Sequence, residues 1–337
     1  MNTWIKRAAW VTLGAVLVIL VSNSVRDANL PRYDYSATTW EDSIFRPAYD
    51  RQRWNVLFDQ HSHTLYSDGV LTPEQNIRWH IAMGFNAMVI SDHNTFAGLD
   101  EAVSIVRERY ADQIVLIPGL EWTTDRVHMN FLFPPRYGEA ELSAAMDTPS
   151  SQPTDDEIRA AIEAAQALGA LVTVNHIPWT NESWPGAQPG REQFLQWGVD
   201  FFEVINDRRW DGLSDTFIDG TPIRPISGTD MHVPGPAFGW TLLRAEEFSA
   251  ASVFASLVSG QTQLIYLPEG APYPFDAQAR PNPWYVALRP LIAIGDYFTE
   301  LTWPRIRVVE LLVLLGWVYL VAFACWGIAD LARKRGD

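Results

Sequence analysis

Apolar residues occur in two arrangements along this chain, in long uninterrupted runs at both ends and in short runs between them. Residues 8–25 and 311–329 contain no charged side chain. The second run, LLVLLGWVYLVAFACWGIA, would rise about 28 Å as a helix, which matches the hydrocarbon thickness of a bilayer. It also lacks the polar stripe of a buried core helix. We therefore predict a transmembrane helix at 308–330. Residues 1–25 fit either a cleaved signal peptide or an uncleaved transmembrane anchor, and we favour the anchor.

Basic residues flank both apolar runs on the sides nearest the chain ends. They are Lys6, Arg7, Arg333, Lys334 and Arg335. Because positive charge is retained on the cytoplasmic side, both chain ends are predicted in the cytoplasm and residues 26–307 outside, displayed from the inner (cytoplasmic) membrane. Arg305 and Arg307 oppose this orientation mildly unless they lie among lipid headgroups, and Trp284 and Trp303 are expected at the same interface.

Between the ends, short apolar runs alternate with helical patterns, which predicts an α/β fold of repeated βα units with a mostly parallel sheet. The predicted strands are 55–59, 87–91, 114–120, 127–132, 171–174, 201–205, 223–227 and 239–244. Thr72 before Pro73, and Thr154 before two aspartates, predict the starts of helices that run to Met83 and Leu168.

These patterns divide the chain into consecutive segments with different environments. They are an N-terminal membrane anchor (1–25), a linker (26–53), a central α/β domain (54–268), an aromatic membrane-proximal segment (269–307), a transmembrane helix (308–330) and a basic cytoplasmic tail (331–337). The middle domain is long enough to form a single large core.

The net charge limits the expected partners of this chain, and the cysteine content limits its possible metal ligands. The 25 Lys+Arg against 40 Asp+Glu give a formal charge of -15, which repels polyanions, so no long nucleic acid is expected as a partner. The one cysteine, Cys325, lies in the C-terminal apolar run, which excludes an intramolecular disulfide and a cysteine-based zinc site. Any metal must be bound by His, Asp and Glu.

Nearly every predicted strand of the middle domain ends near a potential metal ligand. Of the seven histidines, those at 61, 63, 93, 128, 176 and 232 fall at predicted strand edges or adjoining loops. One histidine at such a position is more often structural, but α/β enzymes assemble their sites at strand ends, and the whole set indicates a metal centre. His80 falls inside a predicted helix, and we interpret it as a surface or packing residue without a role.

Local spacing supports the same interpretation. His61 and His63 alternate along an extended segment, so both imidazoles can project to one side. Asp68 follows on a glycine turn, and the pairs Asp92-His93 and Asp230-Met231-His232 add further carboxylates and imidazoles. Asp59 and Asp92 could orient ligand imidazoles or serve as turn residues, and we leave them out of the metal ligands.

In order and spacing these motifs resemble the polymerase and histidinol phosphatase (PHP) superfamily over about residues 54–245. The segments that carry the resemblance are FDQHSHTLYSDG (58–69), ISDHNT (90–95), GLEWTT (119–124), His128, NHIPW (175–179), FEVIN (202–206) and GTDMH (228–232). The departures are modest and remove no ligand: Thr229 stands where serine is more usual, Gln60 precedes His61, and Ile177 separates His176 from Pro178.

The resemblance implies a distorted seven-stranded βα barrel with a trinuclear metal site. It implies that one ion is bound by His61, His63, Glu121 and Asp230. Glu121 would bridge to a second ion bound by His128 and His176, and the third would be bound by Asp68, His93 and His232. Two or three divalent ions are thus expected per chain, and ligand chemistry leaves Mn, Zn and Fe open.

Such a centre predicts a metal-dependent hydrolase of phosphomonoesters, because bound divalent ions activate water and neutralise phosphate charge. The expected substrate is a small phosphorylated molecule, and the oligomeric state stays open. Glu121, Asp230 and Arg208 are the predicted catalytic residues. Arg126 and Arg209 are further candidates to bind phosphate. The tryptophan-rich loop 178–197 could cover the substrate, pack internally or contact the membrane surface.

Two other functions compete with this prediction. An amidohydrolase-like enzyme acting on C–N bonds would also bind metal through His and Asp ligands at the ends of barrel strands. It fits less well, because no candidate for a carboxylated lysine ligand lies in the motifs: Lys6 and Lys334 lie at the two ends of the chain. A non-catalytic metal-binding sensory module displayed outside the membrane would lack turnover altogether.

Overall fold

The computed structural model describes residues 3–28, 33–36, 38–275, 278–279, 284–302 and 307–336. It divides into two compact units, one formed by Met1–Asp34 with Ala277–Asp337 and the other by Tyr35–Asp276. The predicted linker 26–53 is therefore shared between them, and Trp40 within it is fully buried. Trp303 and Arg305, predicted at the membrane interface, lie outside the described residues.

The described helices are α1 (Thr3–Ala28), α2 (Pro73–Ala82), α3 (Leu99–Ile105), α4 (Glu139–Ala145), α5 (Asp155–Ala167), α6 (Ile177–Ser183), α7 (Arg191–Gln196), α8 (Gly212–Phe217), α9 (Ala250–Ser259), α10 (Tyr285–Thr302) and α11 (Val308–Gly336). The described strands are β1 (Tyr33–Asp34), β2 (Val56–Asp59), β3 (Ala87–Ile90), β4 (Val115–Thr123), β5 (His128–Leu132), β6 (Leu171–Val174), β7 (Phe201–Asn206), β8 (Arg209–Trp210), β9 (Arg224–Gly228), β10 (Gly239–Leu243), β11 (Gln263–Tyr266) and β12 (Gln278–Ala279).

The unit Tyr35–Asp276 is built on one curled, mixed sheet. Its strand order is β11-β10-β2-β3-β4-β5-β6-β7-β8, and β9 pairs with the free side of β7, which gives ten strands in the described part of the chain. The prediction of a seven-stranded barrel is wrong in strand number. The sheet is a half-barrel whose β9 approaches β10 through a side chain, since Ser227 N donates to Thr241 Oγ1 at 2.8 Å.

Strand direction also differs from the prediction of a mostly parallel sheet. The parallel pairs are β2–β3, β3–β4, β6–β7 and β7–β9, whereas β4–β5, β5–β6, β7–β8 and both pairings of β10 are antiparallel. A four-residue hairpin causes the first reversal, because Thr124 N donates to Val127 O at 3.2 Å and no helix separates β4 from β5. The fold is therefore α/β with a mixed sheet.

Both faces of the sheet are buried, which explains why its strands are continuous apolar runs. Alternate residues of β3 belong to different clusters: Val89 packs inside the curled sheet with Phe58 and Phe201, and Met88 packs outside beneath the surrounding helices. Strands covered on both sides need apolar residues at every position. The α9 helix contributes Phe254 to the inner cluster.

The helix starts predicted at Thr72 and Thr154 are confirmed. In each, the threonine hydroxyl accepts a hydrogen bond from the backbone N–H three residues later, and the side chain at that position, Gln75 or Glu157, accepts from the threonine N–H. These capping boxes satisfy donors that would otherwise be unpaired at a helix start. All eight predicted strands are present, whereas β1, β8, β11 and β12 were not predicted.

In the other unit, α1 and residues Val308–Asp330 of α11 are each long and apolar enough to cross a membrane. Arg7 near the start of α1 forms an ion pair of 2.9 Å with Asp330 near the end of α11. Helix α10 packs closely along α1, since a methyl group at Gly295 would lie 2.7 Å from the carbonyl oxygen of Ser22.

Candidate metal centre

Nine imidazole and carboxylate side chains converge where strands of the half-barrel end. They are His61, His63, Asp68, His93, Glu121, His128, His176, Asp230 and His232. The convergence follows from the topology, because β2, β3, β6 and β9 are followed directly by ligand-bearing loops, and Glu121 and His128 lie on the paired strands β4 and β5. All nine residues predicted from the sequence as metal ligands thus lie in one place.

Glu121 is the centre of the cluster and is completely buried. Its Oε1 lies 3.1 Å from His128 Nδ1 and 3.2 Å from His176 Nε2. The same oxygen is 3.3 Å from His61 Nε2, and the other oxygen is 2.8 Å from His93 Nδ1. A carboxylate that faces imidazoles from both oxygens is suited to bridge two cations.

Asp230 approaches the same group from the end of β9. Its Oδ1 lies 3.2 Å from His63 Nε2 and 3.3 Å from His61 Nε2. It also lies 3.4 Å from His232 Nδ1. Asp230 therefore belongs to the subset that the resemblance assigns to the first ion.

A third subset lies toward solvent around Asp68. Asp68 Oδ1 is 3.2 Å from His232 Nε2 and 3.4 Å from His93 Nε2. The ring of His63 stacks on that of His232 with centroids 4.1 Å apart, and its Nδ1 is 4.0 Å from the same Asp68 oxygen. His63 thus stands between the first and third subsets.

The ionisation of the cluster is strongly perturbed. Burial disfavours the charged imidazole of His93, but the carboxylates of Glu121 and Asp68 outweigh it and raise the pKa of His93 to about 10. Burial lowers the pKa of His63 to about 4. Burial alone would raise the pKa of Glu121, yet the imidazoles of His61, His128 and His93 hold it well below its usual range. Cation binding must therefore displace protons from imidazoles.

The residues present fit divalent cations on chemical grounds. His61 Nδ1 faces the Glu203 carboxylate at 2.9 Å and so carries a proton, which leaves Nε2 with its lone pair toward His63 Nε2, only 3.1 Å away. Two imidazole nitrogens directed at one point are suited to share a cation. His63 Nδ1 is buried without a hydrogen-bond partner. Mixed imidazole and carboxylate donors suit Zn, Mn and Fe.

Glu203 is a residue of this centre that the sequence analysis missed. It is buried in the middle of β7, where Oε1 accepts from His61 Nδ1 and Oε2 accepts from the backbone N–H of His176 at 2.8 Å. It therefore orients one ligand ring and one ligand backbone. The available signal was a single carboxylate inside the apolar run FFEVI, because such a group needs a polar partner.

A chain of buried amides connects Glu203 to Glu121 beneath the cluster. Gln60 Nε2 donates to Glu203 Oε1 at 2.8 Å, and Asn130 Nδ2 donates to Gln60 Oε1 at 2.9 Å. Asn175 Nδ2 then lies 2.8 Å from Asn130 Oδ1 and 2.9 Å from Glu121 Oε1. Gln60 is thus part of the support of the site.

The structure decides among the alternative roles that the sequence left open for Asp92, Asp59 and His80. Asp92 faces no imidazole and instead accepts from Thr64 N at 2.7 Å and from the Ser67 hydroxyl, so it shapes a turn. Asp59 contacts the ring of His80, which is not a predicted ligand, at 3.0 Å. His80 is fully buried, so its surface interpretation is wrong.

Backbone strain is concentrated at the cluster. The non-glycine residues with positive φ in the described part of the chain are Asn94 (51°), His176 (23°), Asp207 (48°) and Asp230 (52°). Two of them are predicted ligands, and the other two adjoin His93 and Arg208. Left-handed conformations cost energy for such residues and persist where surrounding contacts enforce them, which is common at functional sites.

A cavity of about 380 Å³ opens beside Asp230 and His232. Arg208, whose side chain is 75% exposed, lines it and lies over the ring of Phe238 at 5.6 Å. The other two candidate arginines are engaged elsewhere: Arg126 pairs with Asp155 at 2.6 Å, and Arg209 pairs with Glu182. Arg208 is therefore the candidate for phosphate binding that lines the cavity.

Two tryptophans from the loop 178–197 form an aromatic wall on the other side of the cluster. Trp179 packs edge-on against the rings of His128 and His176, with centroids 5.4 and 5.0 Å apart. Trp184 packs on Trp179 at 5.3 Å. These contacts exclude water from the deeper ligands.

Comparisons with known proteins agree with this geometry. Residues 59–181 match the family model described as PHP domain. The chain is 36% identical over 78 residues to the 5′-3′ exoribonuclease Rnm of Salmonella typhimurium, covering 22% of this chain and 26% of that protein. It is 40% identical over 68 residues to a 5′-3′ exoribonuclease of Haemophilus influenzae, covering 20% and 24%. The chain thus spans about a quarter of the length of these relatives.

Among solved structures, a two-domain protein from Bacteroides vulgatus, described as containing a predicted PHP-like metal-dependent phosphoesterase, superposes with a TM-score of 0.52. The match has 20% sequence identity and covers 66% of this chain and 68% of that one, so it shows a shared fold. Family model, fold and the order of the motifs agree. The segment 59–181 therefore carries a match to the PHP domain family.

Proposed function

We propose that this chain is a membrane-tethered, metal-dependent phosphoester hydrolase. The observation that carries the proposal is the convergence of nine imidazole and carboxylate ligands around buried Glu121. A purely structural metal site is closed by about four ligands. Nine ligands with an adjoining open cavity suit a cluster of ions that meets substrate.

The nine candidate ligands fall into sets that would hold different ions. Glu121 and Asp230 would hold the shared ions, with His61, His63, His128 and His176 as their deeper partners. Asp68, His93 and His232 would hold the outer ion. When bound, divalent ions lower the pKa of coordinated water from 15.7 to about 7 and polarise phosphoryl oxygens.

Arg208 would bind the phosphate oxygens that face the cavity. It is the one arginine among the described residues that line the cavity, and no lysine lines it. Its neighbour Asp207 lies 3.4 Å away, and a phosphate group would compete with that exposed carboxylate for the guanidinium. Glu203 and the amides of Gln60, Asn130 and Asn175 would keep the ligands in place.

The substrate we propose is a small phosphorylated molecule. The formal charge of -15 and the single arginine of the cavity favour it over a long polyanion. The end of a nucleic acid is the second candidate, because the matched relatives are named 5′-3′ exoribonucleases. Cleavage of C–N bonds through a carboxylated lysine is disfavoured, since no lysine occurs in the motifs.

We also propose that the catalytic unit lies outside the cytoplasmic membrane. The ion pair between Arg7 and Asp330 supports both chain ends lying on one side, and the basic residues in the first turns of α1 and the last turns of α11 favour the cytoplasm. A reporter fused after Asp337 is expected to be cytoplasmic and one inserted near Ser150 external. Both reporters on the same side would refute this topology.

Purified full-length protein in detergent provides the test of activity. Metal analysis should find two or three divalent ions per chain, and Mn²⁺ or Zn²⁺ should support hydrolysis of members of a panel of phosphomonoesters and 5′-phosphorylated oligonucleotides. His61→Ala and Asp230→Asn each remove one candidate metal ligand and serve as the variants expected to lose activity. Undiminished hydrolysis in both variants would exclude this site, and metal binding without hydrolysis of any panel member would favour a sensory module.

A further inference from the structure

His80 is a buried histidine that the proposed reaction does not use. It lies on α2 with no exposed surface, between the rings of Trp79 and Phe85, whose centroids are 4.8 and 5.3 Å away. A buried polar ring costs free energy unless both of its nitrogens have partners. Both partners are present, and one of them leads to the metal centre.

The ring nitrogens of His80 both face acceptors. Nδ1 lies 2.8 Å from the carbonyl oxygen of Asn76, and Nε2 lies 3.0 Å from Asp59 Oδ2. A carbonyl oxygen can only accept, so Nδ1 donates its proton there. The contact of Nε2 with the Asp59 carboxylate is the second hydrogen bond of the ring, and it joins His80 to Asp59.

Asp59 in turn holds together two segments that carry ligands. Its Oδ1 accepts from the backbone N–H of His61 at 3.1 Å and from that of Thr229 at 3.0 Å, and Oδ2 accepts from the Thr229 hydroxyl. The first segment carries His61, and the second continues directly into Asp230. These two residues are also joined by a backbone hydrogen bond of 2.8 Å from Asp230 N to His61 O.

We propose that His80 is a positioning residue of the metal centre. By donating from Nε2 it fixes the Asp59 carboxylate in the orientation that clamps the His61 and Thr229 segments. Without that donor, Asp59 Oδ2 would keep the Thr229 hydroxyl as its one remaining partner, and the buried carboxylate would be free to turn and release the clamp. The strained backbone of Asp230, with φ of 52°, depends on such enforcement. This inference rests on the proposed metal centre.

Two amide substitutions of His80 test whether the hydrogen-bond donor at the position of Nε2 is what matters. His80→Gln places an amide donor near the position of Nε2 and keeps the contact with Asp59, whereas His80→Asn reaches only the position of Nδ1. With full-length protein in detergent, Mn²⁺ titration should show affinity at least about tenfold weaker for His80→Asn, and close to the original for His80→Gln. Ile162→Ala, a buried change on α5 away from the centre, controls for general loss of stability.

Thermal unfolding of the metal-free proteins measures how much stability each variant has lost, so that a loss of Mn²⁺ affinity can be separated from a loss of folding. Loss of Mn²⁺ affinity in His80→Asn beyond that of Ile162→Ala supports the positioning role. Equal affinities in His80→Asn, His80→Gln and the original protein would overturn it. Absence of Mn²⁺ binding by the original protein would instead overturn the metal centre and this inference with it.

NMR of the original protein with isotope-labelled histidine tests the donor without any risk of misfolding. The His80 signals, identified by their absence in His80→Gln, should show a proton on Nε2 that is hydrogen-bonded to Asp59. An unprotonated Nε2 would overturn the proposal even if His80→Asn fails to fold.

Discussion

The two sides of the metal centre use the same kinds of ligand in very different surroundings. On the inner side, Glu121 has no exposed surface, and its partners His128 and His176 pack against the aromatic wall of Trp179 and Trp184. On the outer side, Asp68 is 57% exposed and His232 is one-third exposed. Buried ligands held by other buried groups are fixed before an ion arrives, whereas exposed ones must be ordered by it. We expect the inner ions to bind tightly and the outer ion to exchange.

Glu121→Gln should give the largest effect, because it removes the charge that faces imidazoles on both sides. Metal content is expected to fall below one ion per chain, and kcat/KM to fall by about 1,000-fold or more. Metal analysis and a phosphoester assay provide the measurements. Glu182→Gln, an exposed change away from the ligands, is the control. Full metal content in Glu121→Gln would contradict its central position.

Gly228→Ala should impair metal binding on the inner side although no ligand is substituted. A methyl group there would lie 2.6 Å from His61 Cβ and closer still to Glu203 Oε1. Displacement of Glu203 should weaken Mn²⁺ binding by about 100-fold and lower stability by about 1–3 kcal/mol. Gly212→Ala, where the nearest atom would be 3.9 Å away, is the matched control. Equal Mn²⁺ affinity in the two variants would show that the Glu203 contact is dispensable.

Asp68→Asn should affect the outer side alone. One ion per chain is expected to be lost while the others remain, and turnover should fall about tenfold to 100-fold. Metal stoichiometry after dialysis distinguishes this result from a general loss. Asp147→Asn, which changes an exposed aspartate without a ligand role, controls for the change in charge. Loss of every ion in Asp68→Asn would mean that the two sides are not separable.

Arg208→Ala should have the smallest effect of the series. The exposed guanidinium is expected to contribute about tenfold to kcat/KM through a charge-assisted hydrogen bond to phosphate, with metal content unchanged. Arg209→Ala is the natural control, because Arg209 is paired with Glu182. A similar loss in both variants, or none in Arg208→Ala, would remove Arg208 from the reaction.

Much of this fold follows from local sequence patterns. Thr72 and Thr154 predicted the helix starts, because helix capping depends on residues only three positions apart. The apolar runs predicted the central strands, because burial on both faces requires several consecutive apolar residues. Strand direction did not follow from them. A strand that is covered on both faces has the same apolar pattern whether it runs parallel or antiparallel to its neighbour. The pattern of β5 therefore did not show that it runs antiparallel to β4, to which a turn without a helix connects it.

The candidate ligands could be listed from sequence because histidines at strand ends are conspicuous, but their supports could not. Glu203 and His80 lie 142 and 21 residues from the groups they contact, His61 and Asp59, and only the tertiary fold brings them together. Likewise, nothing local distinguishes Arg208 from Arg209. Their difference depends on whether Glu182 lies within reach.

Anomalous diffraction from crystals of the full-length protein grown with Mn²⁺ tests the central claim most directly. We predict at least two manganese peaks within coordinating distance of this cluster, one contacting Glu121 and one contacting Asp68. Crystals with manganese bound elsewhere, and no peak at Glu121, would contradict the assignment of this cluster as the metal centre.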